Sequence, residues 1–182
     1  MISIRNYQPN DAAALWALFF NTIRRVNIRD YTAEQVAAWA PDNYPLELWQ
    51  KKMQAISPFV AEIRLALNDA KLGGKFSSSH ATHTVSEGAD RFSKIVGYSD
   101  LQPSGLIDHF FCHHQHQGCG VGRALMQHIF ALGRTRGIAR LHSEVSISAR
   151  PFYEHMGFEL YKEQSLDLRG QRLRNFVMHK TL

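Results

Sequence analysis

Long apolar runs are missing from this 182-residue chain. No stretch approaches the roughly 18 consecutive apolar residues of a membrane-spanning helix. The opening MISIRNYQPNDAA lacks the charged-then-apolar order of a secretory leader, so the cytoplasm is the expected compartment and no membrane partner is expected. Cysteine is scarce: Cys112 and Cys119 are the only two, too few for a disulfide framework, and both are expected as reduced thiols. No basic run accompanies the net charge of +5. Scattered Lys and Arg suit an anionic small ligand better than DNA or RNA, so no nucleic-acid partner is expected. The Cys and His spacings of a structural zinc site are absent, and no metal is expected.

What remains is an ordinary globular composition, long enough to bury a core without staples. Ile2–Tyr7 alternates as a first strand. Asn10 or Asp11 can cap the helix that follows, whose apolar positions include Leu15, Leu18, Phe19 and Ile23. Thr32 and Gln35 form a capping-box pattern for a second helix ending near Pro41, and Leu46–Met53 suggests a short third. Strand patterns cover Phe59–Leu65, Lys94–Leu101 and Leu106–His113. Between the first two, residues 71–91 read as a flexible polar loop insertion. A helix with Val121, Leu125, Ile129 and Leu132 on one face follows, stopped at Gly137. Arg140–Ile147 reads as a strand, Ala149–Met156 as a short helix, and Leu160–Leu168 with Arg172–His179 as a terminal hairpin. The order β-α-α-β-β-β-α-β-α-β-β, without a linker between two cores, predicts one α+β domain over residues 1–182, with a mixed, mostly antiparallel central sheet flanked by helices.

The chemistry concentrates at Gly118-Cys119-Gly120-Val121-Gly122, between a strand and a helix. The first turn of a helix carries unpaired N–H groups and a partial positive charge. Glycines let that backbone approach a phosphate without Cβ clashes. Gly122 is followed by Arg123-Ala124-Leu125: Arg123-Ala124 excludes the Gly-Lys-Ser/Thr ending of a P-loop, and Leu125 excludes the x-x-Gly or x-x-Ala ending of a dinucleotide fingerprint. Cys112 imitates a nucleophile, but no ordered Cys–His–acid pattern accompanies it.

The run Gly105–Met126 resembles the acetyl-CoA signature of the GNAT acetyltransferases, Q/R-x-x-G-x-G/A at the start of the central helix. Two registers fit, Gln115/Gly118/Gly120 and Gln117/Gly120/Gly122; the second places Arg123-Ala124 and then apolar residues as the family does. Arg140–Val145 and Ala149–Phe158 resemble the family's later strand and helix. Tyr31–Pro41 and Arg169–Phe176 are similar to a bacterial YafP-like branch. Two departures stand out: Cys112-His113-His114 occupies the usual Val-x-Pro, and Ser146 replaces an Asn that often contacts the cofactor.

The resemblance implies transfer of an acetyl group from acetyl-CoA to a primary amine by direct attack in a ternary complex. It assigns cofactor binding to Phe111, Cys112, Gln117, Gly118, Cys119, Gly120, Val121, Gly122, Arg123 and Ser146. Tyr153 stands where the family holds a hydroxyl that protonates the departing sulfur. Asp108, as a base or a group that positions water, His109 and a water chain are the alternatives for removing the amine's proton. Strand alternation predicts that Asp108 and His109 point to opposite faces, so that only one meets the substrate. A small-molecule or peptide amine is the implied acceptor; Tyr31, Trp39, Trp49 and Phe20 are candidates for its pocket, and Glu34 for attracting its charge. The C-terminal edge strands leave room for a homodimer. The competing reading is a catalytically silent acyl-CoA-binding sensor or interaction module.

Overall fold

The computed structural model describes residues 1–65 and 92–182. The loop expected over 71–91 lies outside the described residues. The elements are β1 (Ile2–Asn6), α1 (Ala12–Arg25), α2 (Ala33–Trp39), α3 (Leu46–Ile56), β2 (Phe59–Leu65), β3 (Phe92–Ser99), β4 (Leu106–Ile107), β5 (Phe110–Cys112), α4 (Val121–Thr135), β6 (Arg140–Ser146), α5 (Arg150–His155), β7 (Glu159–Leu168) and β8 (Gln171–Thr181).

The strands form two four-stranded sheets, ordered β1-β2-β3-β5 and β4-β6-β8-β7. All pairings are antiparallel except β4 with β6. The expected single strand over Leu106–His113 is therefore two short ones in different sheets. Leu106 and Ile107 pair with His142 and Ser143, whereas Phe110–Cys112 pair with Gly97–Ser99. The chain changes sheets at Asp108-His109. Asp100 makes the change: its Oδ1 accepts the amides of Asp108 at 3.0 Å and His109 at 2.7 Å, hydrogen bonds that a continuous ladder would otherwise supply. Because β5 and β6 do not pair, a cleft opens between the sheets.

Helical spacing places Leu15, Leu18, Phe19, Thr22 and Ile23 on the buried face of α1. They join Val36 of α2, Trp49 and Met53 of α3, and Val60, Tyr98 and Leu173 of the sheets in one apolar cluster. Each large side chain so buried contributes roughly 1.5–3 kcal/mol of transfer free energy. On the other side, Val121 and Leu125 of α4 pack on Ala61 and Val96, while Met126 and Ile129 meet Leu141, Tyr153 and Met178.

The capping box of α2 forms as predicted: Gln35 N donates to Thr32 Oγ1 at 3.2 Å, and Thr32 N to Gln35 Oε1 at 2.8 Å. The cap expected for α1 does not. Asp11 precedes that helix, but its carboxylate accepts Gln8 N at 2.7 Å and pairs with Arg5 Nη1 at 2.7 Å. A guanidinium outcompetes a helix amide for this buried carboxylate.

Candidate active site

The glycine loop ends β5 and starts α4. Gly120 is the residue before the helix, with φ +84° and ψ 0°, a left-handed conformation that costs a side chain roughly 1–2 kcal/mol. Ala124 N donates to Gly120 O at 3.0 Å, which makes it the first amide bonded within the helix. The amides of Val121, Gly122 and Arg123 precede it, in the turn whose N–H groups have no intrahelical acceptor. Gln117 to Gly120 are exposed, so solvent or a ligand reaches this mouth. At Gly122 a Cβ would lie 3.1 Å from the Phe152 ring, so α5 packs directly on the helix mouth. The Gln117 side chain turns back: Nε2 donates to Cys112 O at 2.7 Å, bracing the loop against β5.

Tyr153, from α5, is buried at the cleft with its hydroxyl 3.3 Å from Ser143 Oγ, which donates to Ile107 O at 2.8 Å. Burial raises the phenol well above its ordinary range, against the weaker opposing effect of Ser143, so it stays protonated at neutral pH. Burial also pushes the Cys112 thiol up to about 12, which removes it as a thiolate nucleophile. Ser146 Oγ accepts Ala149 N at 3.2 Å and lies 3.4 Å from Asn27 Nδ2.

Asp108 and His109 do not point to opposite faces. They sit at the crossing between sheets, where alternation does not apply, and both line one cavity. Asp108 is half-exposed, with Oδ2 3.4 Å from Lys52 Nζ of α3 and 3.4 Å from His109 Nε2. His109 is buried, with Nδ1 3.0 Å from the hydroxyl of Tyr98. Burial and the charge of Lys52 push its pKa down to about 4, opposed by Asp108. The ring is therefore neutral near pH 7.

The cavity, open to solvent on one side, has a volume of about 490 Å³ across the cleft between the sheets. Phe110 and Phe111 line it from β5, Ser143 to Ser146 from β6, and Tyr153 from α5. Tyr31, Trp39 and Trp49 line it as the sequence suggested, joined by Trp16 and Tyr44, whose rings stack at 5.1 Å. Phe20 and Glu34 do not. Phe20 packs beneath Arg24, 5.1 Å from its guanidinium, and Glu34 is exposed in the first turn of α2. Tyr31 anchors this wall to the second sheet by donating to Arg174 O at 2.7 Å and accepting Ile147 N at 3.0 Å.

The profile of the acetyltransferase (GNAT) domain family matches residues 27–181. The chain belongs to the GNAT family of N-acetyltransferases. Acetyl-CoA is the cosubstrate of GNAT enzymes, and amines are their acceptors. The chain is 28% identical over 177 residues to the uncharacterized N-acetyltransferase YafP of Escherichia coli K12, covering 97% of this chain and 94% of YafP. Among solved structures, a GCN5-related N-acetyltransferase from Rhodopseudomonas palustris superposes with a TM-score of 0.78 at 23% identity, over 99% of this chain and 95% of its own. The PaiA N-acetyltransferase of Thermoplasma acidophilum, solved with coenzyme A, superposes with a TM-score of 0.64 at 15% identity, over 100% and 99% of the two chains. At these identities the structural likenesses establish the fold.

Within this GNAT chain the cleft gathers Tyr153, Asp108, His109, Phe111 and Ser146 around one cavity, while Gly118 to Arg123 form the helix mouth. Tyr98, Asp100, Lys52 and Ser143 went unnoticed in the sequence. They are polar residues within otherwise ordinary strand and helix patterns, and only the fold brings Tyr98, Asp100 and Lys52 to Asp108 and His109, and Ser143 to Tyr153.

Proposed function

We propose that the chain transfers an acetyl group from acetyl-CoA to a primary amine by direct attack within a ternary complex. The observation that carries this reading is the exposed, left-handed glycine entry to α4, with the amides of Val121, Gly122 and Arg123 ahead of its first internal hydrogen bond. Oriented N–H groups with the positive helix end suit a diphosphate, and Arg123 adds a cation there. Phe111, Cys112 and Ser146 would flank the pantetheine arm where the sheets part.

An alkyl amine has a pKa of about 10 and must lose a proton before it attacks. Proton bookkeeping favours Asp108 over His109 as the acceptor of that proton. Tyr98 is fully buried and holds its proton, and His109 Nδ1 is the partner of its hydroxyl. Donation from Tyr98 to Nδ1 leaves the neutral ring's hydrogen on Nε2, directed at Asp108 Oδ2. His109 then orients the carboxylate, and the free carboxylate oxygen serves as base.

The nitrogen attacks the thioester carbonyl, the C–N bond forms and the C–S bond breaks. The sulfur takes the phenolic proton of Tyr153. The second proton leaving the nitrogen restores Tyr153 through water. A calorimetric titration with acetyl-CoA, followed by mass spectrometry of products across an amine panel, tests the proposal. Binding with acetylated product is the expected result. Binding without turnover on any amine would instead favour a silent acyl-CoA sensor, and no binding would overturn both.

A further inference from the structure

The walls of the 490 Å³ cavity differ in kind. The helical side is aromatic: Trp16, Trp39, Tyr44 and Trp49 face it. All but one of the lining charges stand on the strand side, Asp108, Glu144, Asp167, Arg169 and Arg174; Lys52 of α3 faces them, so the charges balance in number. The balance is not kept in pairs. Lys52 lies on Asp108, Arg174 Nε is held 2.6 Å from Glu163 Oε1, and Arg169 Nη1 donates to Ala38 O at 2.7 Å. Asp167 has Arg172 at 3.9 Å. Among the described residues Glu144 has no ion-pair partner; its polar neighbour is Asn175 Nδ2, 3.4 Å from Oε2.

Asn175 adds an independent observation. It is 9% exposed, lines the cavity, and its Oδ1 is buried without a donor. An unmet acceptor of this kind destabilises the fold until a donor arrives. An uncompensated carboxylate beside an unmet amide oxygen calls for a ligand that is both cationic and rich in N–H groups.

We infer that Glu144 and Asn175 Oδ1 receive the ammonium of the acceptor, and that the acceptor is a small monoamine on an aromatic or apolar body. This rests on the acetyltransferase reading only in naming the ligand as acceptor. One free carboxylate matches one ammonium. A polyamine or polycationic sugar finds no second free carboxylate there, because Asp108 faces Lys52 and Asp167 faces Arg172. The aromatic wall supplies area for an apolar body and ring faces for its cation. The cavity volume fits a small molecule, within the roughly 300–1,000 Å³ of typical ligand sites.

The three tryptophans of the chain, Trp16, Trp39 and Trp49, all line this cavity, so binding reads out directly as tryptophan fluorescence without any turnover. 2-Phenylethylamine, 2-phenylethanol and spermidine are titrated into the full chain, with and without coenzyme A, and into Glu144→Gln. Glu144 is exposed, so the isosteric change leaves the fold intact. Saturable quenching by 2-phenylethylamine is expected, with binding about tenfold or more weaker for the alcohol, for spermidine, and for 2-phenylethylamine on Glu144→Gln. Equal affinity of wild type and Glu144→Gln, tighter binding of spermidine, or no saturable response overturns the inference. Acetyl-CoA calorimetry on the same samples separates that outcome from failure of the acetyl-transfer reading, since loss of cofactor binding leaves the amine titration still interpretable.

Discussion

At the scale of single residues, two side chains divide the proton traffic by their surroundings. Tyr153 is buried beside Ser143 and stays a phenol, the form that can give a proton to a departing thiolate. Tyr153→Phe keeps the ring and its packing on Phe158 while removing the hydroxyl. Turnover is expected to fall by roughly 10²-fold or more, with the Kd of acetyl-CoA from calorimetry changed little. Unchanged steady-state turnover would take the acid role from Tyr153. Asp108 and His109 make a sharper test, because either could be the base from sequence. If Asp108 takes the proton and His109 orients it, Asp108→Asn should cost more in kcat than His109→Gln. The reverse order of effects would make the imidazole the base. Either loss should spare the KM of acetyl-CoA, since neither residue lies in the glycine loop.

At the scale of elements, α4 is where local sequence and function coincide. Gly120 enters the helix with φ +84°, and a Cβ there would meet nothing nearer than Ile2 Cδ1 at 4.0 Å. The penalty of Gly120→Ala is therefore backbone strain rather than collision, about 1–2 kcal/mol if the loop keeps its shape. Relaxation of that strain would turn the amides of α4 away from a common centre. The expected result is a rise of about tenfold or more in acetyl-CoA Kd by calorimetry, with α4 still folded by circular dichroism; an unchanged Kd would remove the helix mouth as the diphosphate site. That loop was legible because glycine leaves few reasons for its presence. So were Phe59–Leu65, the Thr32 cap and the Arg169-Gly170 hairpin, each fixed by neighbours in sequence. The segment Leu106–His113 was misread for a physical reason. Its pattern is that of one strand, but the side chain of Asp100, distant in the fold's logic, takes the two amides that would have continued the ladder. The facing of Asp108 and His109 followed from that misreading. Asn175 and Glu144 were invisible for a similar reason: nothing local distinguishes a strand polar residue aimed at solvent from one aimed into a cleft.

At the scale of the whole molecule, titration of the histidines links activity conditions to stability. Burial is the leading cause that lowers the pKa of His109, His113, His114, His116, His128 and His179, and that of His109 falls to about 4. In the unfolded chain these rings titrate near about 6.5. Between the two values the unfolded state binds protons that the native state refuses, so stability rises with pH across this window and is lost on acidification. Asp11 acts lower down. Burial alone would raise its carboxyl, but the hydrogen bonds from Arg5 and Gln8 N prevail and hold it below the usual range. Its contribution is complete above its unfolded value of about 3.9 and is lost as pH falls through the lower folded value. Asp100 opposes both, because burial raises its carboxyl, so that it favours the native state as acid is added. The windows separate the causes. From pH 7 to pH 5 the carboxylates of the unfolded chain remain largely ionised and the histidines dominate. The thermal midpoint by calorimetry should fall by at least about 3 °C over that range, the scale of a one-kcal/mol change in a chain of this length. His109→Asn should lessen the slope without abolishing it, because the other histidines remain. A midpoint that rises or stays level toward pH 5 would overturn the histidines as the dominant group, and an unchanged slope in His109→Asn would mean that His109 accepts a proton in the native state, restoring it as a candidate base.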